Sequence, residues 1–123
     1  MDIDEIREKH TKLEEAYLAA RSHYYAECNK ISEEVGKKLK SIREAAGINC
    51  TVMGRLMQAK TPRVYCHQLE NGVVGADGRR WYSVSAVLDA VATYEAICAQ
   101  VAGLSRAMTR AVAQSREKVN PTA

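Results

Sequence analysis

Side chains suited to contacting DNA bases fall on one face of a short segment in the middle of the chain. At about 100° per residue, the outward face of residues 61–72 would hold three hydrogen-bonding side chains and one valine. These are Val64, His67, Gln68 and Asn71. Such groups match the donors, acceptors and thymine methyl groups that line the major groove. The segment therefore predicts a base-contacting surface, with an ordinary solvent-exposed polar face as the alternative.

The positive charge of the chain is concentrated around this segment. The 123 residues carry a net charge of +3, but residues 36–80 hold nine Lys and Arg against three Asp and Glu. Residues 1–35 are acidic, with five basic and nine acidic side chains. The middle third alone thus has a field that attracts a polyanion. We expect these residues to contact DNA phosphates: Thr51, Arg55, Lys60, Arg63, Tyr65, Arg79 and Arg80.

Helix signals predict the elements that hold this surface. An apolar pattern over residues 35–42 predicts a helix that ends at Gly47. Asn49 is a good N-cap for a second helix over residues 50–58. Gly54 lies in the middle of that helix, which predicts a neighbouring helix passing close by.

Residues 35–72 resemble the helix-turn-helix of the Cro-like phage repressors. The segment Arg43–Gly47, REAAG, matches the Arg-Glu-x-x-Gly that ends the first helix of this family, and Leu69–Gly72, LENG, matches the end of its recognition segment. The stretch before Leu69 is slightly longer than is usual, and Cys50 stands where the family often has a phosphate-contacting Gln. The resemblance implies base contacts from Val64, His67 and Gln68.

Two long helices with narrow apolar stripes are expected on either side of the middle segment. Neither helix can bury its stripe alone. They would pack against each other or against a second copy of the chain, so an intertwined homodimer and a monomeric antiparallel hairpin are both open. The residues expected at dimer contacts are Ile3, Ile6, Leu13, Tyr17, Val91, Tyr94, Val101 and Met108.

The sequence therefore predicts an all-α fold in three parts. Residues 1–34 would form an N-terminal coiled-coil helix, residues 35–82 a helix-turn-helix core, and residues 83–118 a C-terminal dimerisation helix. Ser32 could cap a fresh helix, or the first helix could run straight through.

A small β-hairpin is expected near residues 73–82. The Asp77–Gly78 pair is a strong hairpin-turn signal. Such a hairpin would bring Arg79 and Arg80 to the DNA backbone, with two solvated arginines as the alternative.

The sequence shows no pattern typical of an enzyme, a metal-binding protein or a membrane protein. The four cysteines form no CxxC pair, and the three histidines form no catalytic spacing with acidic residues. We therefore expect no enzyme activity, no metal and no cofactor. No uninterrupted apolar run reaches the roughly 18 residues of a membrane helix, so we expect a cytoplasmic protein without membrane contacts.

Together these patterns predict a dimeric transcriptional repressor that binds a palindromic site on double-stranded DNA. The alternative is an interaction protein of a phage or mobile element, such as an anti-CRISPR inhibitor. It would keep the helix-turn-helix as a scaffold or for autoregulation. Its protein partner would bind the acidic N-terminal helix, for which the solvated exterior of a coiled coil is the favoured interpretation.

Overall fold

A computed structural model of the chain describes residues 1–72, 74–76 and 78–119, with side chains up to Arg116. This part of the chain forms four α-helices and no β-strand. The helices are α1 (Ile3–Ala45), α2 (Cys50–Leu56), α3 (Pro62–Asn71) and α4 (Val84–Val119). The predicted all-α class is confirmed.

Helix α1 is a single element of 43 residues, about 65 Å long at 1.5 Å per residue. Its first turn is capped by Asp2, whose Oδ1 accepts a hydrogen bond of 2.9 Å from the backbone N–H of Glu5. The helix runs through the expected boundary between residues 34 and 35. Ser32 is buried inside it rather than capping a new helix. Residues 1–34 are therefore not a separate element.

The core lies where the second half of α1 and the first half of α4 meet α2 and α3. Each of the four helices contributes at least one buried apolar side chain, and Ile48 adds one from the connection between α1 and α2. The buried hydrophobic residues are Leu39, Ile48, Met53, Cys66, Leu69, Val87, Ala90 and Tyr94.

Helices α1 and α4 run parallel to each other. The start of α4, at residues 83–85, lines the same cavity as residues 24–32 of α1. Further along, the Cys98 thiol lies 3.8 Å from the carbonyl oxygen of Ile42. Both helices therefore advance in the same direction across the core, which rules out the antiparallel hairpin within one chain.

Each long helix continues beyond the core, at opposite ends of the molecule. Residues 3–20 of α1, here called the N-arm, are all exposed. Residues 104–119 of α4, the C-arm, are exposed over all the side chains that are described. The expected dimer residues on the arms are exposed apolar side chains in the single chain: Ile3, Ile6, Leu13, Tyr17 and Met108.

The expected dimer contacts on the first half of α4 need correction. Tyr94 is 0% exposed, because its ring fills the core between α4 and α3. Val91 and Val101 are partly buried and pack against the same core. The chain itself therefore covers Tyr94, whereas the dimer role of the partly buried Val91 and Val101 stays a prediction.

The expected β-hairpin is reduced to one antiparallel bridge, between Val74 and Arg80. Around it, the N–H of Gly75 donates to the carbonyl of Arg79 and the N–H of Gly78 donates to the carbonyl of Gly75. Asp77, the first residue of the expected turn, lies outside the described residues.

Helix α4 starts at an N-cap formed by Ser83, whose Oγ accepts a 3.2 Å hydrogen bond from the N–H of Ala86. Over Val84–Arg116 this helix is long and apolar enough, by length and composition, to cross a membrane. This stretch contains no uninterrupted apolar run of that length, because Asp89 and Glu95 lie within it. The core helix of a soluble protein can meet the same criterion but is then mostly buried, whereas 17% of the qualifying window is buried here, so this feature is weak evidence in either direction.

Candidate nucleic-acid interface

Helices α2 and α3 pack closely enough to form one rigid unit. The backbone of α2 at Gly54 lies against the carbonyl of Pro62, where a Cβ would collide. This confirms the close approach predicted from the glycine. Asn49 caps α2, since its Oδ1 accepts a 2.9 Å hydrogen bond from the N–H of Val52. Helix α2 ends at Leu56, two residues before the predicted end.

The connection between the two helices is a short turn. Gln58 has a φ of 60°, in the left-handed region that non-glycine residues seldom adopt. The N–H of Ala59 donates a 3.0 Å hydrogen bond back to the carbonyl of Gly54. Since α2 and α3 are held both by this turn and by the Gly54–Pro62 contact, the orientation of α3 is fixed from two points.

The predicted base-contacting residues form an outward ridge on α3, which we call the α3 ridge: Val64, His67, Gln68 and Asn71. Val64 is 51% exposed, His67 and Asn71 are exposed, and Gln68 is half-buried. On the inward side, Cys66 and Leu69 are buried in the core, as the helical spacing predicts. Three of the four ridge side chains are thus exposed to solvent.

The segment that carries the ridge exposes no acidic side chain, although the exposed Glu33 of α1 lines a cavity together with Asn71. Glu70 is the single acidic residue between positions 46 and 72, and it is buried. Arg43 of α1 holds its carboxylate through two hydrogen bonds of 2.8 Å. Nothing acidic from this segment therefore faces a ligand of α3.

Glu70 is ionised inside the core. Burial alone would raise the pKa of its carboxyl group, but hydrogen bonds from Arg43, Cys66 and Tyr94 outweigh burial and lower it. The Tyr94 hydroxyl donates at 2.9 Å and the Cys66 thiol at 3.1 Å. The negative charge of this carboxylate is therefore neutralised by Arg43 inside the core, so Glu70 adds no exposed negative charge to the surface.

Three cations are exposed beside the ridge. Arg55 lies near the end of α2, Lys60 in the connection, and Arg63 in the first turn of α3. Thr51 is half-buried in the first turn of α2. The role of these four residues as phosphate contacts stays a prediction.

The other expected phosphate contacts lie in different surroundings. The ring of Tyr65 is half-buried against the edge of Tyr82, at a centroid distance of 5.5 Å. Arg79 is exposed on the side of α1, with its guanidinium 5.9 Å from the ring centroid of Tyr25.

Arg80 is less exposed than the three cations beside the ridge. Its guanidinium lies against the backbone of Gly72 at the end of α3. Its Nη1 is buried and has no hydrogen-bond partner among the described residues. Burial lowers the pKa of Arg80, an effect that nearby Glu33 opposes. The side chain is therefore half-buried between the loop and the end of α3, and its role as a phosphate contact stays a prediction.

The side chains of Cys50, Cys66 and Glu70 form a cluster at the core. Their spacing in the sequence does not indicate this cluster. Their sulfur and oxygen atoms all lie within 4.8 Å of one another. The donor set does not fit a metal ion. Both carboxylate oxygens already accept from Arg43, and burial raises the pKa of the Cys66 thiol so that it stays protonated.

Comparisons of the chain with protein-family models, with curated proteins and with solved structures find no match. The resemblance of residues 35–72 to the Cro-like family therefore remains a prediction. The case for a function depends on the geometry of α3 and the charges around it.

Proposed function

We propose that the protein is a sequence-specific regulator of transcription that places α3 in the major groove of double-stranded DNA. The observation that carries this proposal is the α3 ridge. It presents Val64, His67, Gln68 and Asn71 outward from a helix whose only acidic residue is buried and paired. A helix of this kind fits the major groove and meets base edges there.

Arg55, Lys60 and Arg63 would hold the phosphates on either side of the groove. All three are exposed next to the ridge. Contacts of this kind fix the orientation of the protein on the duplex without specifying its sequence. Their contribution to affinity should fall with rising salt, because each phosphate contact releases bound counterions.

A second copy of the chain would complete the regulator. The N-arm and C-arm carry exposed apolar side chains, including Leu13, Tyr17 and Met108, that this chain leaves uncovered. Contiguous exposed apolar surface of this kind is typical of a protein interface. In a two-fold dimer the two α3 helices would meet half-sites about 34 Å apart, so the site would be palindromic. A dimer bound over a promoter would act as a repressor.

Selection of binding sites from random duplex DNA with the purified protein tests this proposal. We expect an enriched sequence with two symmetric half-sites. Replacing His67 or Gln68 by Ala should weaken binding to that sequence by about 1–3 kcal/mol each. Absence of duplex binding at low salt, or selectivity that survives both substitutions, would contradict the proposal.

The N-arm supports one alternative function. Its apolar stripe is exposed and its net charge is negative, as expected of a helix that binds another protein, for example as an inhibitor of CRISPR interference. Under this alternative, Leu13→Glu would abolish inhibition in cells, whereas His67→Ala would not. The proposal of a regulator instead expects His67→Ala to impair control of a promoter, and expects Leu13→Glu to impair it as well because the dimer is weakened.

A further inference from the structure

The most specific chemistry on the α3 ridge is a hydrogen-bonded pair of side chains. The Asn71 amide nitrogen, Nδ2, lies 3.2 Å from the backbone carbonyl of His67 and 3.2 Å from the Nδ1 of the same histidine. Both residues are on the exposed side of α3, one helical turn apart. The pair therefore belongs to the surface that would meet DNA.

The carbonyl contact determines which way the proton of His67 lies. A carbonyl oxygen only accepts, so the Asn71 atom that faces it must be the NH₂ group. The same NH₂ group can only donate to the imidazole, so Nδ1 of His67 accepts. In neutral imidazole one nitrogen carries the proton, and here that nitrogen is Nε2, at the opposite edge of the ring from Nδ1.

We propose that His67 donates its Nε2–H to N7 of a guanine in the major groove, and that Asn71 positions the ring by fixing its tautomer. This inference rests on the proposed function. Guanine presents two acceptors side by side in the groove, N7 and O6. Adenine carries an N–H donor beside its N7. That donor would lie next to the N–H of His67, which is unfavourable because both groups are donors. An outward donor therefore favours guanine at this position.

Nitrogen NMR of the free protein tests the tautomer without DNA. At about pH 8, the ¹⁵N shifts of His67 should show a protonated Nε2 and an unprotonated Nδ1. In Asn71→Leu, which removes the donor, the two nitrogens should move toward the mixture seen in a free imidazole. A protonated Nδ1 in the wild-type protein, or no change in Asn71→Leu, would overturn the role of Asn71.

Base analogues test the contact with DNA. On a site selected by the wild-type protein, each guanine is replaced in turn by 7-deazaguanine, which lacks the N7 acceptor. Loss of one hydrogen bond should weaken wild-type binding about three- to tenfold at one position. His67→Ala should bind normal and modified DNA equally at that position, whereas the control Gln68→Ala should keep the difference.

The outcomes separate the two proposals. If duplex DNA is bound selectively but no 7-deazaguanine substitution weakens binding, the proposed guanine contact is wrong, whereas the proposed function as a regulator still stands. If the effect persists in His67→Ala, another residue makes the contact and the inference fails. If no duplex is bound at low salt, the proposed function itself fails, whatever the tautomer of His67.

Discussion

Arg43 and Glu70 form a two-point ion pair inside the core, with Nε–Oε2 and Nη2–Oε1 distances of 2.8 Å. The side chains are 10% and 1% exposed. Arg43 also donates through Nη1 to the carbonyl of Ile48, at 2.9 Å. One guanidinium thus joins the end of α1, the connection to α2 and the inner face of α3, so the position of the α3 ridge depends on it.

Removing either partner of this pair should destabilise the fold strongly. Arg43→Ala or Glu70→Ala leaves an unpaired charge in the core, which costs about 3–5 kcal/mol. Urea unfolding followed by circular dichroism measures the loss. The matched control is Lys37→Ala, which breaks only exposed contacts with Glu33 and Glu34 and should cost less than about 1 kcal/mol. Equal effects of the core and surface substitutions would show that the pair does not hold α3 in place.

Because of the Arg43–Glu70 pair, we expect the free energy of unfolding to fall in acid. The pKa of Glu70 is lower in the folded protein than its ordinary value, because the hydrogen bonds from Arg43, Cys66 and Tyr94 outweigh burial. The unfolded chain therefore binds a proton first as the pH falls. The stabilisation is fully present above the unfolded pKa of about 4.3 and is lost as the pH falls through the lower folded value. Urea midpoints measured from pH 7 downward should fall less steeply in Glu70→Gln than in the wild-type protein, and parallel curves would contradict the role of Glu70.

Two glycine-to-alanine substitutions should act in opposite directions. Alanine is favoured over glycine in a helix by about 1 kcal/mol. Gly103→Ala in α4 meets nothing closer than 4.0 Å and should raise stability by up to that amount. Gly54→Ala should lower it, because the new Cβ collides with the carbonyl of Pro62 and separates α2 from α3. The melting temperatures of the two variants provide the comparison, and a stabilised Gly54→Ala would show that the helices are less closely packed.

The arms predict a concentration-dependent dimer. Leu13 and Met108 are 68% and 69% exposed in the single chain. Burying such a side chain is worth about 1.5–3 kcal/mol, and a two-fold dimer buries it twice. Leu13→Glu or Met108→Glu should therefore raise the dimer dissociation constant about 100-fold or more, as measured by sedimentation equilibrium. Lys12→Glu, on the outer face of the N-arm, is the control. A wild-type protein that stays monomeric at high concentration would rule out this role of the arms.

Local signals in the sequence were enough to predict the short helices. Asn49 and Pro62 mark where α2 and α3 begin, and Gly72 marks where α3 ends, because caps act within one turn of their own helix. The spacing of Cys66 and Leu69 then fixes which face of α3 is buried. The exposed face of α3 follows from these signals without knowledge of the rest of the fold.

Contacts between distant residues could not be predicted in this way. A stripe that includes Tyr94 has the same spacing whether its partner is another chain or the same one. The Arg43–Glu70 pair spans 27 positions, although both residues lie within the segments that resemble the Cro-like family. The contact of the half-buried Arg80 side chain with Gly72 depends on where the loop meets the end of α3, which no local pattern encodes.

The salt dependence of DNA binding tests the central claim most directly. Wild-type protein should bind duplex DNA at low salt, with an affinity that falls linearly on a log–log plot against salt. Removing Arg55, Lys60 and Arg63 together by substitution with Ala should reduce the magnitude of the slope by about 2.7, at about 0.9 per phosphate contact. The matched control removes three exposed lysines of α1, Lys9, Lys12 and Lys30, and should leave the slope unchanged. No binding by the wild-type protein at low salt, or the same slope for both triple variants, would contradict a DNA-binding surface on α3.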